Sequence, residues 1–195
     1  MNSEAERLQE KCLSSQLIFD GKVIHLYVDN IQLPNGGVSQ REYIRHNGAV
    51  AVLPLNDDGE VICVRQYRYA VGQVLTEIPA GQLDSADEAP QNAALRELRE
   101  ETGATCERLT PLGIYLGSPA LLNEKIYLYL AEGLHFGKSD LDEDEFLDVV
   151  KIPLSTLVDA VLRGEIADGK TQAAVMRVQE MLRRRVELED TDDKA

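Results

Sequence analysis

The stretch EAPQNAALRELREETGA, residues 88–104, decides how the rest of the chain is read. Apolar residues recur at helical spacing (Ala94, Leu95, Leu98), Pro90 suits a first helical turn and Gly103 suits a left-handed C-terminal cap, so the spacing predicts a helix over 89–102. At about 100° per residue, Glu97, Glu100 and Glu101 share one face. Leu95 and Leu98 offer an apolar stripe to a sheet, and Ala93 and Ala94 leave the preceding turn uncrowded. Carboxylates at this spacing repel one another, so gathering three of them lowers stability unless a cation joins them. Mg²⁺ takes such hard oxygen ligands, together with carbonyls, water and substrate phosphate. Read alone, the Glu-Glu step is an ordinary solvated face with Arg96 and Glu100 as an i,i+4 pair. The surrounding chain decides between the two readings.

Upstream, β-branched and aromatic residues predict strands over 16–19, 23–33 and 38–44, the last two joined by the turn Pro34-Asn35-Gly36-Gly37. Further strands are expected over 49–55, 61–67 and 74–78, the last halted by Pro79-Ala80-Gly81. Downstream, strands are expected over 109–116, 126–131 and 146–152, then helices over 154–163 and 171–185. This order argues an α+β fold, an α/β/α sandwich with a mixed sheet between helices, preceded by an antiparallel β subdomain. The expected divisions are 1–45 for that subdomain, 46–185 for the main domain and 186–195 for an acidic disordered tail.

The 195 residues carry 34 acidic against 20 basic side chains, a formal net charge of −14. Neutralising nucleic-acid phosphates or an anionic membrane surface takes a surplus of Lys and Arg, so both kinds of partner are excluded. Half of the acids lie in three places: 84–101, 140–148 and the last nine residues. Three widely spaced cysteines (Cys12, Cys63, Cys106) with no CxxC pair read as reduced packing residues. His25, His46 and His135 show no ligand spacing. No signal-peptide pattern and no apolar window of membrane-spanning length is found, which makes a cytoplasmic location the expectation.

Pro79-Ala80-Gly81, then Glu88, then Arg96-Glu97-Leu98-Arg99-Glu100-Glu101-Thr102-Gly103-Ala104 closely resembles the Nudix box, Gx5Ex7REUxEExGU with U aliphatic. From Glu88 onward every defined position is met, Ala104 standing for the last apolar residue. Gly81 stands one residue further from Glu88 than the pattern has it, which sets Asp87 in competition with Glu88. The intact spacing from Glu88 to Arg96 favours Glu88, paired with Arg96 to orient the ligands.

The resemblance spans about residues 10–182 and is nearest to the bacterial ADP-ribose pyrophosphatase branch of that superfamily. It is carried by Ile18-Phe19-Asp20-Gly21-Lys22-Val23, Arg41-Glu42, residues 46–52, Val64-Arg65-Gln66-Tyr67-Arg68, Glu77-Ile78-Pro79-Ala80-Gly81 and residues 141–146. It implies the Nudix fold and a homodimer joined, or swapped, through the N-terminal segment. The implied reaction is Mg²⁺-dependent hydrolysis of ADP-ribose to AMP and ribose 5-phosphate. Two or three Mg²⁺, or Mn²⁺, would be held by Glu97, Glu101, Glu100 and the carbonyl of Ala80, with Arg96 and Glu100 among the catalytic group. A loop glutamate, Glu145 or Glu143 with Glu145 preferred, would take the proton from the metal-activated water. Arg68 would grip the diphosphate with Arg41 or Arg65 as helpers. Glu77 reads either as a group reaching metal or water or as a strand-end charge, and Tyr67 either as stacking on the base or as core or interface packing. Pro119 and Glu124 match the branch's stretch beside the terminal ribose, with Ala120 in place of its usual glycine. The alternatives are another nucleoside diphosphate sugar, such as GDP-mannose or ADP-glucose, and a non-catalytic ADP-ribose sensor. The sensor is disfavoured by the intact box and by the lack of a basic winged-helix segment.

Overall fold

A computed structural model describes residues 6–141 and 145–192. The chain divides into two compact units, one taking the residues up to Asn47 with Ser118–Glu124, the other Gly48–Gly117 and Lys125 onward.

The first unit is an antiparallel sheet of β1 (Lys11–Asp20), β2 (His25–Gln32) and β3 (Val38–Arg45), in that order. β1 is longer than its apolar residues suggest, because the polar run from Lys11 pairs with the far end of β2 and pairing supplies what the side chains do not signal. Residues 118–124 join this sheet: the Ile44 N–H donates to the Leu121 carbonyl (2.8 Å), and the His46 N–H to Asn123 Oδ1 (2.7 Å).

The second unit contains β4 (Ala49–Pro54), β5 (Glu60–Arg68), β6 (Gln73–Glu77), β7 (Ala80–Gln82), α1 (Pro90–Thr102), β8 (Ala104–Tyr115), β9 (Ile126–Phe136), β10 (Leu147–Pro153), α2 (Leu154–Leu162) and α3 (Gly169–Asp192). They form a mixed sheet, β7-β4-β9-β8, in which β4 runs parallel to β9, and an antiparallel sheet, β10-β5-β6. β4 is buried at all six positions, as a strand covered on both faces must be. Val50 and Val52 face Ala93, Ala94 and Leu98 of α1; Ala51 and Leu53 pack in the opposite core with Val61, Leu157, Val175 and Val178. Alternation along one central strand thus puts a helix on each side of the mixed sheet, the expected α/β/α layering.

Several elements differ from expectation for physical reasons. Leu95 is 40% exposed, while Ala93 and Ala94 are buried, so α1 meets the sheet through small side chains and Leu98. Ala94, Leu98 and Glu101 form an i, i+4, i+7 row, and Leu95 is turned about 100° away from it. β6 does stop before Pro79, at Glu77, yet the chain is a strand again from Ala80, because β7 lends its backbone to β4. The final helix does not stop at Arg185 to leave a disordered tail from 186; it continues to Asp192. No Gly or Pro interrupts it, and Glu180 with Arg183 and Arg184, then Arg183 with Glu187, pair along its face.

Candidate active site

The site begins where β7 passes under α1. A Cβ on Gly81 would fall 2.0 Å from the Glu97 carboxyl carbon, so glycine here leaves the Glu97 carboxylate room to lie against the turn and a larger residue would swing it aside. The Ala80 N–H donates to Glu101 Oε2 at 3.2 Å, and the Val52 N–H to the Pro79 carbonyl at 2.9 Å, fixing the turn from both sides. α1 ends at Gly103, φ 69°, whose N–H donates to the Arg99 carbonyl. Beyond β9 the chain is strapped to this end: the Gly137 N–H donates to the Gly103 carbonyl (2.7 Å) and the Asp140 N–H to the Glu100 carbonyl (3.0 Å). The strap carries Asp140 to the carboxylate face, and Glu145, just before β10, lines the same cavity described below.

The charges on that face are set against one another. Glu101 is only 2% exposed. Burial first, and then the charge of Glu97, push its carboxyl up to about 8, against the pull of the Ala80 N–H. Burial also raises Glu97, aided by Glu100 and Glu145 and opposed by Arg96. Burial works against the charge on Arg96, but its carboxylate neighbours outweigh it and raise the guanidinium further. Arg96 bridges Glu97 Oε1 (2.6 Å) and Glu100 Oε2 (3.2 Å), donates to the Gln82 carbonyl (3.1 Å), and stands 3.5 and 3.6 Å from Asp84 and Glu88. Glu88 therefore has the supporting place the spacing implied, and its Oε2 also accepts the Asp84 N–H (2.7 Å).

A second group meets this one at the end of β6. Glu77, 1% exposed, accepts Arg68 Nε–H at 2.8 Å on Oε1 and an Arg68 Nη2–H at 2.9 Å on Oε2. Its Oε2 also takes a hydrogen bond from Lys170 Nζ, which donates in addition to Asp168 Oδ1 at 3.0 Å. Burial raises the Glu77 carboxyl, but the two cations outweigh it and hold the group below the usual range. Asp168 Oδ2 caps α3 through the Thr171 N–H (2.9 Å) and hydroxyl (2.5 Å), and Thr171 Oγ1 accepts the Ile78 N–H (3.0 Å).

A cavity of about 320 Å³ opens between these groups, lined by Arg68, Ala80, Gly81, Arg96, Glu97, Glu100 and Glu145. Gln82, Asp84 and Asp140 line it too and are not singled out by the sequence. Glu101 lies behind the lining. Arg65 and Tyr67 stand apart from it, in a separate 450 Å³ hollow with Val74 and Phe146, which Glu145 also borders. The larger hollow has only Glu145 and Asp148 and lacks the α1 glutamates and the Ala80–Gly81 turn, so the chemistry belongs to the smaller one. Arg41 pairs with Glu10, and Glu124 stands 3.6 Å from His46, both in the first unit with Pro119. Glu143 lies outside the described residues.

Lys170 and Asp168 escape sequence reasoning. Asp168-x-x-Thr171 before an apolar run is a legible helix cap. That cap does not tell that Lys170 reaches a carboxylate 93 residues earlier.

Among the described residues no group of three or more His, Cys, Asp or Glu side chains stands at metal-binding spacing. The donor set nevertheless suits a hard divalent cation: Glu97, Glu100 and Glu101 are carboxylates and Ala80 adds a carbonyl. Glu101, buried and raised by a like-charged neighbour, is a group whose cost of ionisation a cation would remove.

A glutamate-rich helix pressed onto a glycine turn, beside a carboxylate-braced arginine, defines a class of phosphate-handling hydrolase. A NUDIX domain family model matches residues 45–181, and one for the nucleoside diphosphate sugar hydrolase N-terminal domain matches 10–44. The chain belongs to the Nudix hydrolase family. An ADP-ribose pyrophosphatase of Bacillus subtilis is 43% identical, over 88% of this chain and 94% of its own. A methanol dehydrogenase activator of Bacillus methanolicus is 40% identical over 88% and 93%. A GDP-mannose pyrophosphatase of Pectobacterium atrosepticum is 32% identical over 91% and 97%. A crystal structure of an ADP compounds hydrolase shares the fold, with a TM-score of 0.79 at 24% identity over 91% of this chain and 97% of that one.

Proposed function

We propose that the protein hydrolyses the diphosphate linkage of ADP-ribose, giving AMP and ribose 5-phosphate, with Mg²⁺ as the cation. The observation that carries this is one cavity holding Arg68, Glu97, Glu100 and Glu145 around the Ala80–Gly81 turn. The similarity to an ADP-ribose pyrophosphatase over 88% of the chain supports the choice of sugar.

Arg68, fixed by its fork to Glu77, presents its remaining N–H donors to non-bridging phosphate oxygens. Glu97, Glu100 and Glu101, with the Ala80 carbonyl, would hold the metal, which supplies charge neutralisation at phosphorus and an acidified water. Arg96 keeps Glu97 and Glu100 oriented. Glu145 takes the proton of the attacking water, and the P–O bond to the leaving phosphate breaks as the new P–O bond forms. Exposed apolar side chains in the first unit, Leu13, Leu17, Phe19 and Val38, suit a homodimer formed there.

The same site would serve GDP-mannose or ADP-glucose, and the GDP-mannose pyrophosphatase relative favours testing that reading. Each nucleotide sugar is incubated with the protein and Mg²⁺, and phosphate released from the products by a coupled phosphatase is followed. ADP-ribose should give the highest kcat/KM; turnover of none of them contradicts the hydrolase assignment.

A further inference from the structure

We propose that Lys170 is a positioning residue for the substrate's diphosphate, acting through Glu77 on Arg68. The inference rests on the diphosphate reading above. Glu77 is a fully buried carboxylate, and such a group persists only when paired. If Arg68 were its only partner, the guanidinium would be neutralised where it faces the cavity and would exert little pull on a second anion. Lys170, itself 11% exposed, places a second cation on the same carboxylate. Asp168 Oδ1 accepts from Lys170 at 3.0 Å, and its Oδ2 caps α3 through Thr171. With Asp168, the group Arg68–Glu77–Lys170–Asp168 is neutral overall; without Lys170 it would carry one net negative charge where a diphosphate must approach.

Geometry works in the same direction. Glu77 spends two oxygens on Arg68 Nε and Nη2, leaving three of the five guanidinium N–H groups for phosphate. Thr171 Oγ1 holds the Ile78 N–H, so the start of α3 fixes the two residues that lead into the Pro79–Ala80 turn. The start of α3 therefore sets both the charge of the arginine and the path of the turn, although Lys170 itself does not line the cavity.

The test is a double-mutant cycle read as the Kd of ADP with Mg²⁺ by calorimetry. Lys170→Gln keeps a donor for Glu77 and removes only the charge. In the wild-type background it should weaken ADP binding about tenfold or more, as expected when one partner of a buried charge pair is removed. In the Glu77→Gln background the same change should alter Kd less than twofold. Equal losses in both backgrounds, which a merely structural lysine would produce, or a loss below twofold in the first, overturn the inference. If Lys170→Gln alone does not fold, Glu77→Gln against the double variant decides, since a further loss in the double overturns it. ADP-ribose turnover by the unaltered protein is run alongside. Absent turnover with the expected Kd pattern contradicts the hydrolase reading and leaves Lys170's role standing; normal turnover with an unchanged Kd does the reverse. A protein that binds ADP in no background overturns the inference, and ADP-ribose turnover then decides the hydrolase reading by itself.

Discussion

At the scale of single residues, Glu101 carries an electrostatic burden that the fold imposes and a cation would lift. Its carboxyl sits at about 8 in the folded chain against an ordinary value of 4.5. Between those values the folded state keeps a proton that the unfolded state has released. The contribution of Glu101 to the stability of the metal-free protein is therefore greatest below about pH 4.5, declines as pH rises and levels off above about 8. In EDTA, the thermal midpoint should fall by several degrees between pH 5.5 and 8, at about 2–4 °C per kcal/mol for a chain of this size. Glu101→Gln should flatten most of that slope, and adding Mg²⁺ should restore the wild-type midpoint at pH 8. A wild-type midpoint that rises with pH over this range would contradict the burial account. Gly81 is the complementary case, with a vacancy that only hydrogen fills. Gly81→Ala should displace Glu97 and lower kcat on ADP-ribose about a hundredfold while the circular dichroism spectrum stays the same.

At the scale of elements, α1 and the strap from β9 hold one another. A Cβ at Gly103 meets the Gly137 carbonyl oxygen at 2.5 Å in a left-handed backbone, whereas Gly59 is equally left-handed in open space. Urea unfolding should show Gly59→Ala losing about 1–2 kcal/mol, the cost of the backbone alone, and Gly103→Ala losing clearly more. Gly103→Ala should also lower turnover, because the strap ties Asp140, which lines the cavity, to the end of α1. Equal losses at the two glycines would deny the strap a role. The sequence reveals α1 well: the spacing from Glu88 to Ala104 encodes a cap, a face and a row of carboxylates within one helix. It also places Arg68 and Glu77 on their strands. What it does not reveal depends on chain distance. β7 is legible only through its partner β4, the strap only through Gly103, and the place of residues 118–124 only through Ile44. Arg65 and Arg68 look interchangeable in a string of letters, yet only Arg68 lines the carboxylate cavity.

At the scale of the whole molecule, a net charge of −14 is a poor guide to an anionic ligand. The acids sort into a helix face, a loop beside it and a final helix. The cavity itself is lined by Asp84, Glu97, Glu100, Asp140 and Glu145 against Arg68 and Arg96, so a diphosphate needs a bound cation to reverse the local sign. Affinity for ADP should accordingly fall steeply when Mg²⁺ is removed, measured by calorimetry with and without EDTA. Light scattering should give twice the chain's 21.7 kDa, with Phe19→Asp shifting the mass toward one chain. A monomeric wild-type protein would contradict the dimer.

The central claim, that the glutamates of α1 serve diphosphate hydrolysis, is tested most directly by turnover of ADP-ribose with Mg²⁺ in wild-type protein and Glu101→Gln. Wild type should release AMP and ribose 5-phosphate, and the variant should lose at least about a thousandfold in kcat, the scale set by losing electrostatic stabilisation at the reacting centre, while still binding ADP. A variant within tenfold of wild type would contradict the account.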